Sequence, residues 1–454
     1  MRKITGFNTM RVVALGALSL FISGKMRAQD SIRIDLQQAL EIALSDNPTV
    51  KVADNTIELK KFVKYENIGT LLPNVSLNGT FNHSMQQQKV KIPIPGMDKP
   101  TTMGPPTNIA GQMAVSLPLI APQVWKTIQL TQKDMELAME SARSSKIDMV
   151  NQVKTAYYSL LLAQDAYQAL LTGYNNAALN AKTVTDKYNQ GIVSEYDKLV
   201  ADVQLRNQKP QVVNGENAIR LATMQLKVLM GIDVHAPIIF TGNLNEYESE
   251  MFADLMKLQS DTSLTDNSQL KQLDIQKRQL ELSKKINLLG YAPTLGMSLN
   301  AGWYGMGDKL KLDDYFWTPT SGIALTLSIP VFSGGQKYYK NKQNKVSLLN
   351  LDLQRENIVR QLELSVTNSL NSIETAVEQV SSNKESVTQA EKAFMISQKR
   401  YEVGSGTLLE MNSSETALTQ ARLQYAQSIF DYLSARATLE ATLGRTVPTI
   451  NNKK

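Results

Sequence analysis

Tyr188-Asn189-Gln190-Gly191-Ile192-Val193-Ser194-Glu195-Tyr196-Asp197 and Tyr401-Glu402-Val403-Gly404-Ser405-Gly406-Thr407-Leu408-Leu409-Glu410 are two versions of one turn. Each ends a long helical pattern at a Gly and begins another within a few residues. Gly suits that position because the left-handed conformation that closes the last helical carbonyls is cheap only without a Cβ. Ser194 and Thr407 can cap the following helices, and Asp197 and Glu410, three residues on, complete a capping box or a close variant. Taken alone, the turns describe two helical hairpins.

Working outward, Pro122 to about Lys187 reads as one helix, with Gly173 as its only internal helix breaker. Roughly sixty-five residues at 1.5 Å each make a rod of about 100 Å. After Gly191 a second helix runs to Met230-Gly231, and Pro210 predicts a kink or a join within it. The long helix before Gly404 carries Ile358, Leu362, Val366, Leu370, Ile373, Val377, Val380, Val387, Ala390 and Phe394. Their mean step of about 3.6 residues describes a nearly straight helix, and the tighter later steps a left-handed supercoil towards the turn. Such rods bury little alone, so they must pack against neighbours or other copies of the chain.

Ahead of each long helix the period changes to two. Val75, Leu77, Gly79 and Phe81 alternate with Asn74, Ser76, Asn78 and Thr80, and Met113, Val115 and Leu117 lead to Pro118. Leu295, Met297, Leu299, Ala301 and Trp303 form a third strand, and Ile323, Leu325, Leu327 and Ile329, ending at Pro330, a fourth. Strands are expected at about 73–84, 108–118, 293–304 and 320–331. Each has one uncharged apolar face and one small polar face, the pattern of a sheet wet on one side only. Before the first strand, Leu36 to Asp46 is a short amphipathic helix that Asn47-Pro48 breaks, and another helix runs to about Leu72.

The order recurs along the chain. Tyr188 and Tyr401, Gly191 and Gly404, and Gly231 and Gly444 are each 213 apart, while Pro73 and Pro293 are 220 apart. Offsets held through helices and strands alike imply a tandem duplication. The expected organisation is a signal segment 1–28, a first repeat 29–231, a mixed polar linker 232–262, a second repeat 263–445 and a tail 446–454.

Composition narrows the function. Of the formal charge of +6, Arg2, Lys3, Arg11, Lys25 and Arg27 supply five, which leaves the remainder near neutral at +1. That is no electrostatic footprint for nucleic acid. The same first 28 residues, with an apolar run from Val12 to Ile22 and the small Ala28, read as a secretory signal, a single anchoring helix being the alternative. The absence of Cys excludes disulfides, thiolate chemistry and a lipid-bearing Cys. His83 and His235 stand in unrelated contexts, and Gly334-Gly335 lacks the Lys-Ser/Thr of a phosphate-cradling loop. The expectation is therefore no enzyme, no cofactor and no metal.

Strands of about ten residues cross a bilayer when tilted, but four cannot close, and an open edge is forbidden in lipid. Three chains would supply twelve strands, enough for an aqueous lumen. Trp303 at the end of the third strand, Trp317 just before the fourth and Trp125 shortly after the second, joined by Tyr304, Tyr315 and Phe316, fit an interfacial girdle.

The ordered set of elements, the Tyr-x-x-Gly turns, Leu72 to Val75 (Leu-Pro-Asn-Val) and Pro330 to Gly335 (Pro-Val-Phe-Ser-Gly-Gly) resemble the TolC-like outer-membrane efflux proteins over about Leu36 to Arg445. The fold class implied is mainly α with a small β part: a homotrimer with a 12-strand outer-membrane β-barrel continuing into a long periplasmic α-helical barrel. The resemblance also implies a passive exit duct through the outer membrane of a Gram-negative cell, opened at its periplasmic tip. Its partners would be a periplasmic adaptor and an inner-membrane pump of RND, ABC or MFS type. In that family carboxylates of the second turn ring the narrowest point; the matching positions are Glu410 and Ser413, of which only the first is acidic. Asp197 and Tyr401 match gate-bonding positions, with Gly191 and Gly404 closing the turns, while the basic partner position is Gly406. A periplasmic coiled-coil adaptor is the rival reading; it accounts for the helical hairpins but not for four charge-free alternating strands.

Overall fold

The computed structural model describes residues 32–90, 101–102, 104–249, 251, 262–308 and 312–445. The signal segment 1–28 and the tail 446–454 lie outside the described residues, as do parts of the first hairpin loop and of the linker. The described chain divides into two compact units that share its longest helices: 32–43, 156–249 and 383–430 form one, and 44–155, 251–382 and 431–445 the other.

The second of these units holds the sheet. In chain order the strands are β1 (Ile32–Ile34), β2 (Asn74–His83), the short pair β3 (Lys89–Val90) and β4 (Thr101–Thr102), β5 (Thr107–Ile120), β6 (Ile238–Phe240), β7 (Thr294–Gly307) and β8 (Phe316–Ser328). The four long strands form one antiparallel sheet in the order β2-β5-β7-β8, so the two hairpins join through β5 and β7. Pro118 does not end its strand. It pairs with Gly296 at a register shift beside Ile120, the irregular kind of position where a missing ladder donor is tolerated. β8 likewise starts at Phe316, earlier than alternation suggests, because Pro319 lies on the edge strand opposite Trp303.

Helices α1 (Leu36–Asp46), α2 (Pro48–Gly69), α3 (Pro122–Asn189), α4 (Glu195–Met230), α5 (Ser268–Leu289), α6 (Gln336–Glu402) and α7 (Leu408–Leu443) supply the rest. Asn47 caps α2 ahead of Pro48, accepting from the Thr49 amide at 2.7 Å. Asn267 does the same for α5, and its Nδ2 also donates to the Thr442 carbonyl at 2.7 Å. Gly444 sits close by at φ +75°, and a Cβ there would lie 2.2 Å from the Asp266 carbonyl oxygen. Arg143 closes the same corner, donating to the Asp266 and Gly444 carbonyls and pairing with Glu140 at 2.7 Å. The helical stripe read from Val366, Ile373, Val377 and Val380 is the buried face of α6.

In the other unit, β1 and β6 form a two-stranded parallel sheet that the sequence reading missed within its N-terminal segment and its linker. Tyr157 of α3 packs edge-on against Phe240 and donates to the Thr241 carbonyl. Of the kink or join expected at Pro210, the join is absent: α4 runs through it as one helix. Its end at Gly231 (φ +71°) is left-handed, as that of a Gly-closed helix should be.

Candidate functional site: the paired turns and the exposed sheet

Both turns are built as their residues dictate. Gly191 (φ +76°) and Gly404 (φ +77°) take the left-handed conformation. The Ile192 amide reaches back to the Lys187 carbonyl at 2.9 Å, and the Ser405 amide to that of Arg400 at 2.8 Å. Ser194 Oγ accepts from the Asp197 amide at 3.2 Å, while Asp197 Oδ2 accepts from the Ser194 amide and hydroxyl. Thr407 and Glu410 make the same reciprocal cap, at 3.2 and 3.5 Å.

The turns pack on each other. Ala181 and Val184 of α3, Ala201 of α4, and Leu408 and Met411 of α7 form one buried cluster, with Val193, Phe394 and Tyr401 against it. Tyr401 is held between the two turns: Lys187 Nζ lies 4.6 Å over its ring, and its hydroxyl is buried without a hydrogen-bond partner. Burial, and then the Asp197 charge, push that hydroxyl's pKa up. Glu410 and Ser413 are exposed on α7.

Glu410 is not a free carboxylate. Arg400 Nη1 lies 3.5 Å from Glu410 Oε2, and Arg400 Nη2 donates to the Ser405 carbonyl at 3.2 Å. The backbone at Gly406 passes so close that a Cβ there would meet Arg400 Cβ at 2.9 Å. Arg400, from the last turn of α6, therefore pairs with Glu410 and the Ser405 carbonyl, and not with Asp197 or Tyr401. The sequence reading overlooked Arg400, although a cation in the final turn of a helix, facing its own carbonyls, is a recognisable signal.

At the sheet, the registers align the strand patterns into continuous rows. Val75, Val115, Leu299 and Ile323 form one row, and Phe81, Ile109, Gly305 and Trp317 another on the same face. The opposite face carries Asn78, Gln112, Gly302 and Thr320. On the apolar side Leu77 is 83% and Ile323 71% exposed, so an apolar surface stands open. Trp303 lies inside β7, four residues before its end, and Trp317 is the second residue of β8. Both therefore sit within strands rather than beyond them, and Trp125 is exposed in the first turn of α3. The Trp317 ring covers Gly305, and the Tyr315 ring covers Gly307. No helix among the described residues is long and apolar enough to cross a membrane.

Residues 67–232 and 261–445 match the model of the outer membrane efflux protein family. The chain belongs to that family. Its relatives include outer membrane protein TolC of Escherichia coli (strain K12), 19% identical over 423 residues that cover 90% of this chain and 82% of TolC. Another is the cobalt-zinc-cadmium resistance protein CzcC of Cupriavidus metallidurans, 22% identical over 330 residues, covering 70% of this chain and 73% of CzcC. Among solved structures, the Campylobacter jejuni CmeC outer membrane channel superposes with a TM-score of 0.71 at 14% identity, covering 91% of this chain and 87% of that one. This efflux protein is accordingly mainly helical with few strands. It is an outer-membrane exit duct of an efflux or secretion system, reaching into the periplasm, and not an enzyme.

Proposed function

We propose that three copies of this efflux protein form one duct, with a 12-strand outer-membrane barrel continuing into a periplasmic helical barrel, each chain arising from a tandem duplication. One observation carries the reading: the four-stranded sheet ends at β2 and β8, and one of its faces is an exposed apolar surface. Lipid tolerates apolar faces but not open edges, and three copies placed edge to edge remove every edge. The polar rows then line water and the Trp-bearing rows meet lipid.

The paired turns are the periplasmic gate in this reading. Tyr401 packs the two turns together, Asp197 caps the helix that leaves the first, Gly191 and Gly404 close the helices that enter them, and Glu410 and Ser413 present the exposed side of α7 to the constriction. Arg400 makes that constriction a ring of three carboxylate–guanidinium pairs rather than of bare acids. The duct opens when a periplasmic adaptor and an inner-membrane pump, of RND, ABC or MFS type, engage it. The test is extraction and conduction. A duct needs detergent, runs at three times the chain mass and conducts in a planar bilayer. A coiled-coil adaptor, the rival, is released by salt and stays silent, and that result would overturn the assignment.

A further inference from the structure

Leu408, Met411, Glu415 and Leu418 follow one another at steps of three and four along α7, and all four are buried. An acid on that stripe breaks the apolar pattern where the turns are held together. Glu415 is only 2% exposed, and its Oε1 has no hydrogen-bond partner. A cavity of about 150 Å³ lies against it, between α3, α6 and α7, bounded by Asn176, Asn180, Lys187, Tyr401 and Met411 among others. Tyr401, whose hydroxyl is the other orphaned polar atom of this region, lines the same cavity.

Two buried polar atoms without partners beside one small cavity form a site built for a solvent-exchangeable species, because leaving such groups unsatisfied is costly. The carboxyl favours its neutral form there: burial raises its pKa to about 7, against a smaller lowering by the Asn176 amide. The other titratable groups on the cavity wall are Lys187 from α3 and Tyr401 and Glu402 from α6. Lys187 lies over the Tyr401 ring, and Glu402 is bridged by Lys399 at 2.7 Å.

We propose that Glu415 and its cavity are a proton-binding site that couples closure of the paired turns to pH. Protonated, Glu415 packs as part of the α7 stripe and the turns stay shut. Ionised, it draws water into the cavity and loosens α7 from α3 and α6. The sign follows from linkage. A carboxyl whose pKa is raised by packing binds more protons in the packed state than in the hydrated one. Closure is therefore fully favoured below the ordinary value of 4.5, weakens as pH rises through about 7, and stays weakened above it. The displacement between those values bounds the effect at about 300-fold in the closed-to-open ratio per chain.

The inference rests on the turns being the gate, so the experiment separates the two. Single-channel conductance of the purified duct is recorded from pH 4.5 to 8 for the wild type, Glu415→Gln and Tyr401→Ala. The wild type should spend at least tenfold more time closed at pH 5 than at pH 8, and Glu415→Gln should lose that slope and remain largely closed. An unchanged slope in Glu415→Gln, while Tyr401→Ala opens the channel, overturns the proton site and leaves the gate standing. If Tyr401→Ala leaves conductance as it was, the gate reading itself fails. Should Glu415→Gln not assemble, hydrogen exchange of residues 401–418 in the wild type, corrected for intrinsic rates, decides the matter. Equal protection at pH 5 and pH 8 would sink the proposal.

Discussion

Arg400 and Glu410 meet across the second turn, Nη1 to Oε2 at 3.5 Å, so the last turn of one helix neutralises the first carboxylate of the next. Both side chains are about half exposed, and such a pair contributes about 0–1 kcal/mol, which makes it a weak clamp but an effective charge balance. If three copies bring these turns together at the constriction, Arg400→Ala should leave the trimer intact and uncover three carboxylates there. Cation preference should rise, together with blockade by multivalent cations added from the periplasmic side. Glu410→Gln should reverse the preference. Reversal potentials in a salt gradient measure both, and identical values in wild type and both variants would remove these residues from the constriction.

The turn glycines separate conformational cost from steric cost. Gly191 and Gly404 have positive φ and open space where a Cβ would go. Alanine at either should cost only the left-handed penalty, about 1–2 kcal/mol. Gly444 has a similar φ, but its Cβ would overlap the Asp266 carbonyl and wedge apart the corner where Asn267 and Arg143 bind. Gly444→Ala should therefore lower the midpoint of thermal unfolding in detergent by clearly more than either turn variant. Equal shifts in all three would mean that the corner relaxes freely.

How much of this was legible depended on the length of each pattern. The long helices and strands repeat their period often enough to be read, and the Gly-centred turns and capping boxes announce their own geometry. Three-residue β1 and β6 are too short to repeat an alternation, and their pairing spans a separation of about 200 residues that local sequence cannot reveal. Pro118 reads as the end of its strand because sequence shows a missing donor but not whether a strand lies at an edge or a bulge. At the turns the capping acids were visible, while the Arg400 contact required knowing that Gly406 brings the backbone onto it. Glu415 was legible in principle as an acid on an apolar helical stripe, but what burial does to it depends on α3, more than two hundred residues away.

The junction between the two hairpins offers a sharper test of the sheet. Gly302 lies where β7 crosses β5, and a Cβ there would sit 2.1 Å from the Gly111 carbonyl oxygen. Gly302→Ala should push these strands apart and reduce the yield of SDS-resistant trimer. Gly296→Ala in the same strand, with open space around it, should not. Quantifying trimer before and after heating distinguishes them, and equal yields would contradict the β5–β7 register.

The sidedness of the sheet can be tested directly. Ile323 and Thr320 are three residues apart on β8, so they project to opposite faces: Ile323 in the row with Val75, Val115 and Leu299, Thr320 in the row with Asn78, Gln112 and Gly302. If the first row meets lipid, Ile323→Arg places a guanidinium in hydrocarbon at a cost of about 2–4 kcal/mol near the midplane, multiplied over the three chains. Thr320→Arg would put the same charge into the aqueous lumen, where assembly is spared and conductance changes instead. The expected result is lost insertion for Ile323→Arg, with protein recovered from the soluble fraction, against normal insertion and altered ion selectivity for Thr320→Arg. If the outcomes were exchanged, the faces would be inverted. If both variants inserted equally well, the row through Ile323 would have to be covered by protein rather than by lipid.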